Sequence, residues 1–454
     1  MVPRSVLRLA LTACAAIFAA RPATAQVSPV VSVVSGSSEA PQTAGSISSP
    51  TAVDLVRRAL QANGELTAAR LDLERGRARL RQAGLRPNPT IDLEHTTGRL
   101  TGSPDERDLS VGVALPLELG GRRQRRLDVA EAELAATEAE VADRERRLAH
   151  EVLGAYADAL AALRELQITN DLQDLDVQTT RVVRTRVEKG DAPNLELNLL
   201  LVEVDRLRSR RALVEGRMNA ALVTLGNLIG APPTEGLAVS TPTGTQPIDP
   251  SQVPSTLDAA IDAALRQRPD LRLARLNELT TQAGLRLARA QAFPEVTVSG
   301  KFIANRTINN LPTGLVPVPT DDRLLAFGVS IGLPMFNTNQ GAKAEAAVAI
   351  RQAQIRRAFT EQVVRAEVTS AFRRLEAARA AVTVFEQGVI NRSTDNVRVI
   401  RAAYELGEFR VTDLITEQRR LLDSQREYTD ALVEGYRAIA DLYAAMGITL
   451  GSQP

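Results

Sequence analysis

The chain is 454 residues long and carries 55 basic against 54 acidic side chains, a formal net charge of +1. That balance excludes the electrostatic footprint of a nucleic-acid binder. Aromatic residues make up only 3% and tryptophan is absent, a composition that suits Ala-packed helices better than a large globular core.

At the front of the chain, Arg4 and Arg8 precede an apolar run, Leu9 to Ala20, and Ala23-Thr24-Ala25 forms a small-residue cleavage site. This pattern predicts a signal peptide over residues 1–25. A second reading is a bacterial lipoprotein signal, Leu11-Thr12-Ala13-Cys14, with Cys14 as the lipidated residue. The apolar run before Cys14 is short and the greasier part lies after it, which favours cleavage after Ala25. Cys14 is the sole cysteine, so neither reading allows an intrachain disulfide. Beyond Ala25 no run of about 18 apolar residues predicts a transmembrane helix. Residues 26–50, rich in Ser, Val, Pro and Gly, form a leader without periodicity.

A first unit spans residues 51–230. Ala52 to Arg86 reads as one helix, with Leu55, Ala59, Leu66, Leu73 and Leu80 on one side, until Pro87-Asn88-Pro89 stops it. The period then changes to two. Ile91, Leu93 and His95 alternate with polar residues, a polar turn follows over Gly98 to Arg107, and Leu109, Val111, Val113, Leu115 and Leu117 alternate again. The spacing predicts a β-hairpin over about 90–117 with one apolar face. Arg122 to Glu188 follows without a proline, dense in good helix formers, with Leu127, Leu134, Val141 and Leu148 seven apart. Such a helix spans about 100 Å at 1.5 Å per residue, so it must be a coiled-coil rod or the wall of a helical tube. Lys189-Gly190-Asp191-Ala192-Pro193 breaks it, a return helix runs over 195–229, and a Pro-, Thr- and Gly-rich linker occupies 231–256.

A second unit, 257–450, repeats this order. It has a lead helix from Leu257 to Phe293 with an Arg268-Pro269-Asp270 step, then a hairpin over about 295–335. A long helix follows over 342–405, a break at Leu406-Gly407-Glu408, and a closing helix over 411–446. Residues agree as well as elements: Leu115-Pro116 with Leu333-Pro334, Glu151, Ala155 and Tyr156 with Glu367, Ala371 and Phe372, and Gly190 and Leu197 with Gly407 and Leu414. A repeat of this length implies one architecture used twice.

Strands of about 9–11 residues are long enough to cross a bilayer when tilted. Only a closed barrel satisfies every backbone group there, and four strands cannot close alone, since single-chain barrels begin at about eight. The strands must be pooled with those of other copies.

On these residues the chain resembles the TolC-like outer-membrane factors, over roughly residues 51–450. The resemblance rests on the twofold order, the Pro-stopped lead helices and the glycine breaks at 190 and 407. Leu115-Pro116-Leu117-Glu118-Leu119-Gly120-Gly121-Arg122-Arg123 and Leu333-Pro334-Met335-Phe336-Asn337-Thr338-Asn339-Gln340-Gly341 resemble the signature of the heavy-metal (cobalt–zinc–cadmium type) branch, although Thr338 stands where that motif usually has a basic residue. The resemblance implies a mainly α fold with a transmembrane β part: a homotrimer with a twelve-stranded β-barrel in the outer membrane and a periplasmic α-barrel. It implies an exit duct of a tripartite efflux system. The partners would be copies of itself, a periplasmic membrane-fusion adaptor, an inner-membrane pump of the RND type and outer-membrane lipid, with no nucleic acid. By the same resemblance, Lys189, Gly190, Asp191, Leu406, Gly407 and Glu408 form the tips that meet the adaptor. Glu196 and Asp413, six residues after each glycine, would form an anionic constriction ring, and Arg410 and Glu417 would pair between chains. Heavy-metal cations are the expected cargo. Alternatives are a multidrug-efflux or type I secretion duct and, in another class, a soluble periplasmic coiled-coil scaffold.

No enzyme site emerges. His150-Glu151 begins a zinc-protease motif, but Gly154 occupies the second His position. No phosphate loop, nucleophile elbow or Cys/His cluster is present, so neither a cofactor nor a resident metal is expected. The cluster Arg122, Arg123, Arg125 and Arg126 reads as a belt below the lipid, touching head groups.

Overall fold

The computed structural model describes residues 50–100, 103–232, 237, 239, 253–309 and 318–450. The signal peptide, Cys14, residues 26–49 of the leader and most of the linker lie outside the described residues. The fold below is that of the unit Ser49–Pro454.

The first repeat contains α1 (Ala52–Ala62), α2 (Gly64–Ala83), β1 (Thr90–Gly98), β2 (Ser103–Leu117), α3 (Arg122–Glu188) and α4 (Asn194–Leu228). The second contains α5 (Leu257–Gln267), α6 (Pro269–Ala290), β3 (Glu295–Asn309), β4 (Val318–Gly332), α7 (Gln340–Val384), a π-helical segment (Phe385–Val389), α8 (Ile390–Glu405) and α9 (Val411–Met446). At 67 residues, α3 reaches about 100 Å.

Both lead helices are broken, where a single helix was expected in each. Asn63 ends α1 and caps α2: its Oδ1 accepts the Leu66 amide at 3.0 Å and its Nδ2 donates to the Leu228 carbonyl at 3.0 Å. An Asn side chain competes for backbone hydrogen bonds in this way and so favours caps over helix interiors. At the equivalent break, Arg268 donates to the Ala445 carbonyl at 3.2 Å and to Asp270 at 2.9 Å. Pro269 then stands at the first helical position, where its missing N–H costs nothing. Each break therefore grips the carboxyl end of the return helix of its own repeat. Around this belt the main core gathers Leu55, Leu148, Val152 and Tyr156 from the first repeat with Val364, Phe372, Tyr436 and Tyr443 from the second.

The second long helix also departs from expectation. Residues 385–389 form a π segment rather than continuous α-helix. Phe385 there packs on Tyr428 with ring centroids 6.0 Å apart, and Tyr428 donates to Glu386 at 3.0 Å. The extra residue in the turn aims this pair at α9, as π-bulges do.

The four strands form one antiparallel sheet in the order β1-β2-β3-β4. Its outward rows read Leu93–Val111–Phe302–Leu325, Ile91–Val113–Gly300–Phe327, Leu115–Val298–Val329 and Leu117–Val296–Ile331. The opposite face reads Asp92–Gly112–Lys301–Ala326, Glu94–Ser110–Ile303–Leu324 and Thr96–Asp108–Asn305–Asp322. Lys301 crosses the bare Gly112 to reach Glu94 at 2.9 Å. The strands run further than the apolar alternation alone suggested. β2 begins at Ser103, inside the expected polar turn, while Leu333 to Met335 fall beyond β4. Pro319 sits within β4, facing Ile308; β4 is an edge strand, where a missing donor is tolerated.

Candidate functional site at the helical tip

The tip is built from two copies of one local design. Where α3 ends, the Gly190 amide donates to Val187 O at 3.0 Å and the Asp191 amide to Arg186 O at 2.8 Å. Where α8 ends, Gly407 donates to Tyr404 O at 3.0 Å and Glu408 to Ala403 O at 2.9 Å. Both are Schellman closures, and both need a left-handed residue. Gly190 supplies it at φ +83° and Gly407 at φ +81°. The conformation, not space, makes these glycines necessary, since a Cβ at either would meet nothing within 4 Å. Lys189 and Leu406 are the helix caps, and Leu406 is 79% exposed.

The acids that follow are equivalent by sequence but not by bonding. Asp413 accepts the Arg410 backbone amide at 3.0 Å, capping α9. At the matching place in the first repeat stands Pro193, which has no amide to cap. Glu196 is thus released from that duty and accepts instead from the Tyr404 hydroxyl at 3.1 Å. Glu417 pairs with Arg420 at 2.5 Å within its own helix, and Arg410 serves α9 as its N-cap. The structure brings Glu196 to the α8 side of the tip and leaves Asp413 at the mouth of α9.

Tyr404 is the residue the sequence reading missed. It is 3% exposed, within a small cluster of Val183, Leu200, Val411, Leu414 and Ile415 that joins the two tips. The Arg186 guanidinium lies 5.4 Å from its ring centre, a cation–π distance. Burial, reinforced by the negative charge of Glu196, pushes its hydroxyl up to about 12. The available signal was its place three residues before Gly407, in a chain with five tyrosines.

Further along the helices lies a buried polar layer. Asp176 is 3% exposed and Glu203 7%. Arg419 bridges to Glu203 at 3.2 and 2.5 Å. Burial, with the Glu203 charge nearby, pushes the Asp176 carboxyl up to about 6, with Gln418 and Arg419 opposing that push. One Asp176 oxygen and both Gln418 amide atoms nevertheless find no hydrogen-bond partner of good geometry among the described residues. Gln418 thus lies beside Asp176 without a well-formed hydrogen bond to it.

The arginines of the 122–126 cluster are engaged within the fold itself. Arg122 donates to the carbonyls of Ala290, Gln291 and Phe293. Arg126 donates to those of Ala83 and Leu85, and Arg123 to that of Gly84. Arg126 also pairs with Glu118 and Arg125 with Asp128. The guanidiniums of Arg122, Arg123 and Arg126 cap the carboxyl ends of α2 and α6, where cations offset the helix dipole and satisfy orphan carbonyls. Sequence could show the charge but not which carbonyls the fold delivers to it.

No group of three or more potential metal ligands occurs among the described residues, and none of the described helices is long and apolar enough to cross a membrane.

The family described as "Outer membrane efflux protein" matches residues 55–231 and 260–448. The cobalt-zinc-cadmium resistance protein CzcC of Cupriavidus metallidurans is 22% identical over 386 residues, covering 85% of this chain and 87% of CzcC. The outer membrane protein OprJ of Pseudomonas aeruginosa is 26% identical over 425 residues, covering 87% of this chain and 83% of OprJ. A solved structure of CusC superposes with a TM-score of 0.75 at 20% identity, covering 88% of this chain and 93% of that one.

Proposed function

The chain belongs to the outer membrane efflux protein family, whose channels serve tripartite systems at the outer membrane, and from that membership we propose that three copies form the exit duct of a heavy-metal efflux system. The observation that carries the reading is the sheet. Its outward rows are apolar and largely exposed, from Leu117 at 40% on an inner strand to Phe327 at 84% on an edge strand. Yet β1 and β4 each leave one edge unpaired. A bilayer tolerates neither open edges nor unpaired backbone, so edge must meet edge between copies. Three four-stranded sheets make twelve strands, a size within the range of such barrels. The soluble-scaffold alternative falls with family membership.

In this reading α3, α4, α7, α8 and α9 carry the duct through the periplasm, and the Schellman tips meet an adaptor supplied by an RND-type pump. Glu196 and Asp413 line the narrowest ring, where converging acids attract cations and repel one another. The similarity to CzcC and the Leu115–Arg123 motif support metal cations as cargo. Among the described residues no group of three or more potential ligands would retain them.

The test is a strain lacking this gene, complemented with the full chain and challenged with cobalt, zinc and cadmium salts and with hydrophobic drugs. Restored metal tolerance is expected. Restored drug tolerance alone would overturn the metal cargo while leaving the duct intact. Cysteines placed at Lys189 and Glu408 are expected to cross-link to the adaptor, and no cross-link at either would remove these tips from the docking site.

A further inference from the structure

Above the apolar rows the outward face of the sheet changes character abruptly. The next row reads His95–Leu109–Ala304–Arg323, and the one beyond it Thr97–Arg107–Arg306–Asp321. The register is continuous through these positions on β2, β3 and β4, so Arg107, Arg306 and Arg323 share the face of Val111, Phe302 and Leu325. They stand at the end of the sheet remote from α3 and α7, which fixes them on the external side if the long helices fill the periplasm.

Two features of this cluster call for an anion. Arg107 and Arg306 are directly opposite cross-strand partners, and like charges so placed repel. Arg306 has one carboxylate near it, Asp321 at 3.7 Å, too long for a formed hydrogen bond. Its Nε, the atom that faces Asp321, is buried without a hydrogen-bond partner among the described residues. Arg107 and Arg323 are exposed, and no carboxylate among the described residues pairs with either. Asp105 and Asp321 are the acids on the same face in this region, which leaves the cluster net positive. A folded sheet retaining three guanidiniums over two adjacent rows beside a lipid-facing surface is complementary to phosphate at the head-group level.

We propose that Arg107, Arg306 and Arg323 dock the phosphate groups of the outer-leaflet glycolipid, with its acyl chains continuing onto Leu93, Val111, Phe302, Leu325 and Phe327. The surface rests on the outer-membrane reading above. It lies at the opposite end of the sheet from Arg122, Arg123 and Arg126, which cap helices.

The test uses the purified full chain in detergent, with diphosphorylated lipid A as probe and adducts counted by native mass spectrometry. Wild type is expected to bind lipid A at least about tenfold more tightly than the same lipid stripped of phosphate, and R107Q/R323Q to lose that preference. Lysine at both positions is expected to retain most of it. Equal binding of the dephosphorylated lipid by wild type overturns the proposal, a comparison that needs no variant to fold. Equal binding of phosphatidylglycerol overturns the glycolipid assignment, and an unchanged preference in R107Q/R323Q overturns the site. Fractionation of the wild-type cells checks the underlying reading separately: recovery in the soluble periplasm would sink the outer-membrane location, whereas outer-membrane recovery without phosphate discrimination sinks only the docking surface.

Discussion

Tyr404 and Glu196, far apart in sequence, meet at the tip through a 3.1 Å hydrogen bond from hydroxyl to carboxylate. The bond ties α4 of the first repeat to α8 of the second. The tyrosine ring is held below by the cluster around Leu200 and Leu414 and flanked by Arg186. Phenylalanine would keep the packing and remove only the bond. Y404F is expected to raise resting conductance in planar bilayers, through a loss of about 1.5–3 kcal/mol at the tip, the range for a hydrogen bond to a charged acceptor. Unchanged conductance would show that the bond does not hold the tip.

Asp413 combines charge with a cap, and two substitutions separate these roles. Asparagine keeps an acceptor for the Arg410 amide and loses the charge. Alanine loses both and is expected to cost about 1 kcal/mol of stability at the start of α9. D413N is therefore expected to weaken block by divalent cations with little change in melting temperature, and D413A to raise leak conductance and lower melting temperature. Intact cation block in both would remove Asp413 from the ring.

Asp176 makes stability fall as pH rises. Its folded-state value, about 6, lies above its ordinary 3.8 because burial and Glu203 disfavour the anion. The folded state thus holds the proton where the unfolded chain has released it, and stability drops between about pH 4 and 6 and is level above. D176N is expected to raise the melting temperature at pH 7.5 and to have little effect at pH 4. An equal shift at both pH values would mean that ionisation is not the cause.

R126Q removes a cap on two carbonyls and the partner of Glu118, a change expected to cost about 2–3 kcal/mol. Melting of the assembled protein should show it, with no dependence on anionic lipid. A loss seen only in anionic lipid would restore the head-group role that the sequence suggests for this cluster.

The two faces of the sheet differ in what they tolerate. V111R places a guanidinium on the outward face and is expected to cost about 2–4 kcal/mol of barrel stability in liposome refolding, the range for charge near the bilayer midplane. A326R, on the opposite face beside Lys301 in register, is expected to cost far less. Equal costs would contradict the assignment of faces.

Much of this architecture was legible in the chain. The period switch after Pro89 and again after Phe293 located both hairpins, and Gly190 and Gly407 marked both tips, because helix, strand and left-handed closure are local preferences that residues express where they stand. Less was legible where a side chain's role depends on what the fold brings to it. The lead helices looked continuous because Asn63 and Arg268 act through Leu228 and Ala445, distant in sequence. The arginines at 122–126 announced a charge without announcing that α2 and α6 end beside them.

The long helix Arg122–Glu188 and the places of its twin and of the hairpin before each were determined by sequence alone, since periodicity and breakers suffice to locate them, whereas the π segment at 385–389 was not. Only the tertiary structure decided that Glu196 turns to Tyr404 while Asp413 caps its own helix. It alone set Arg107 opposite Arg306, and made Asp176 an acid reluctant to ionise. These depend on register, burial and the charges of neighbours far along the chain, quantities that no local pattern encodes.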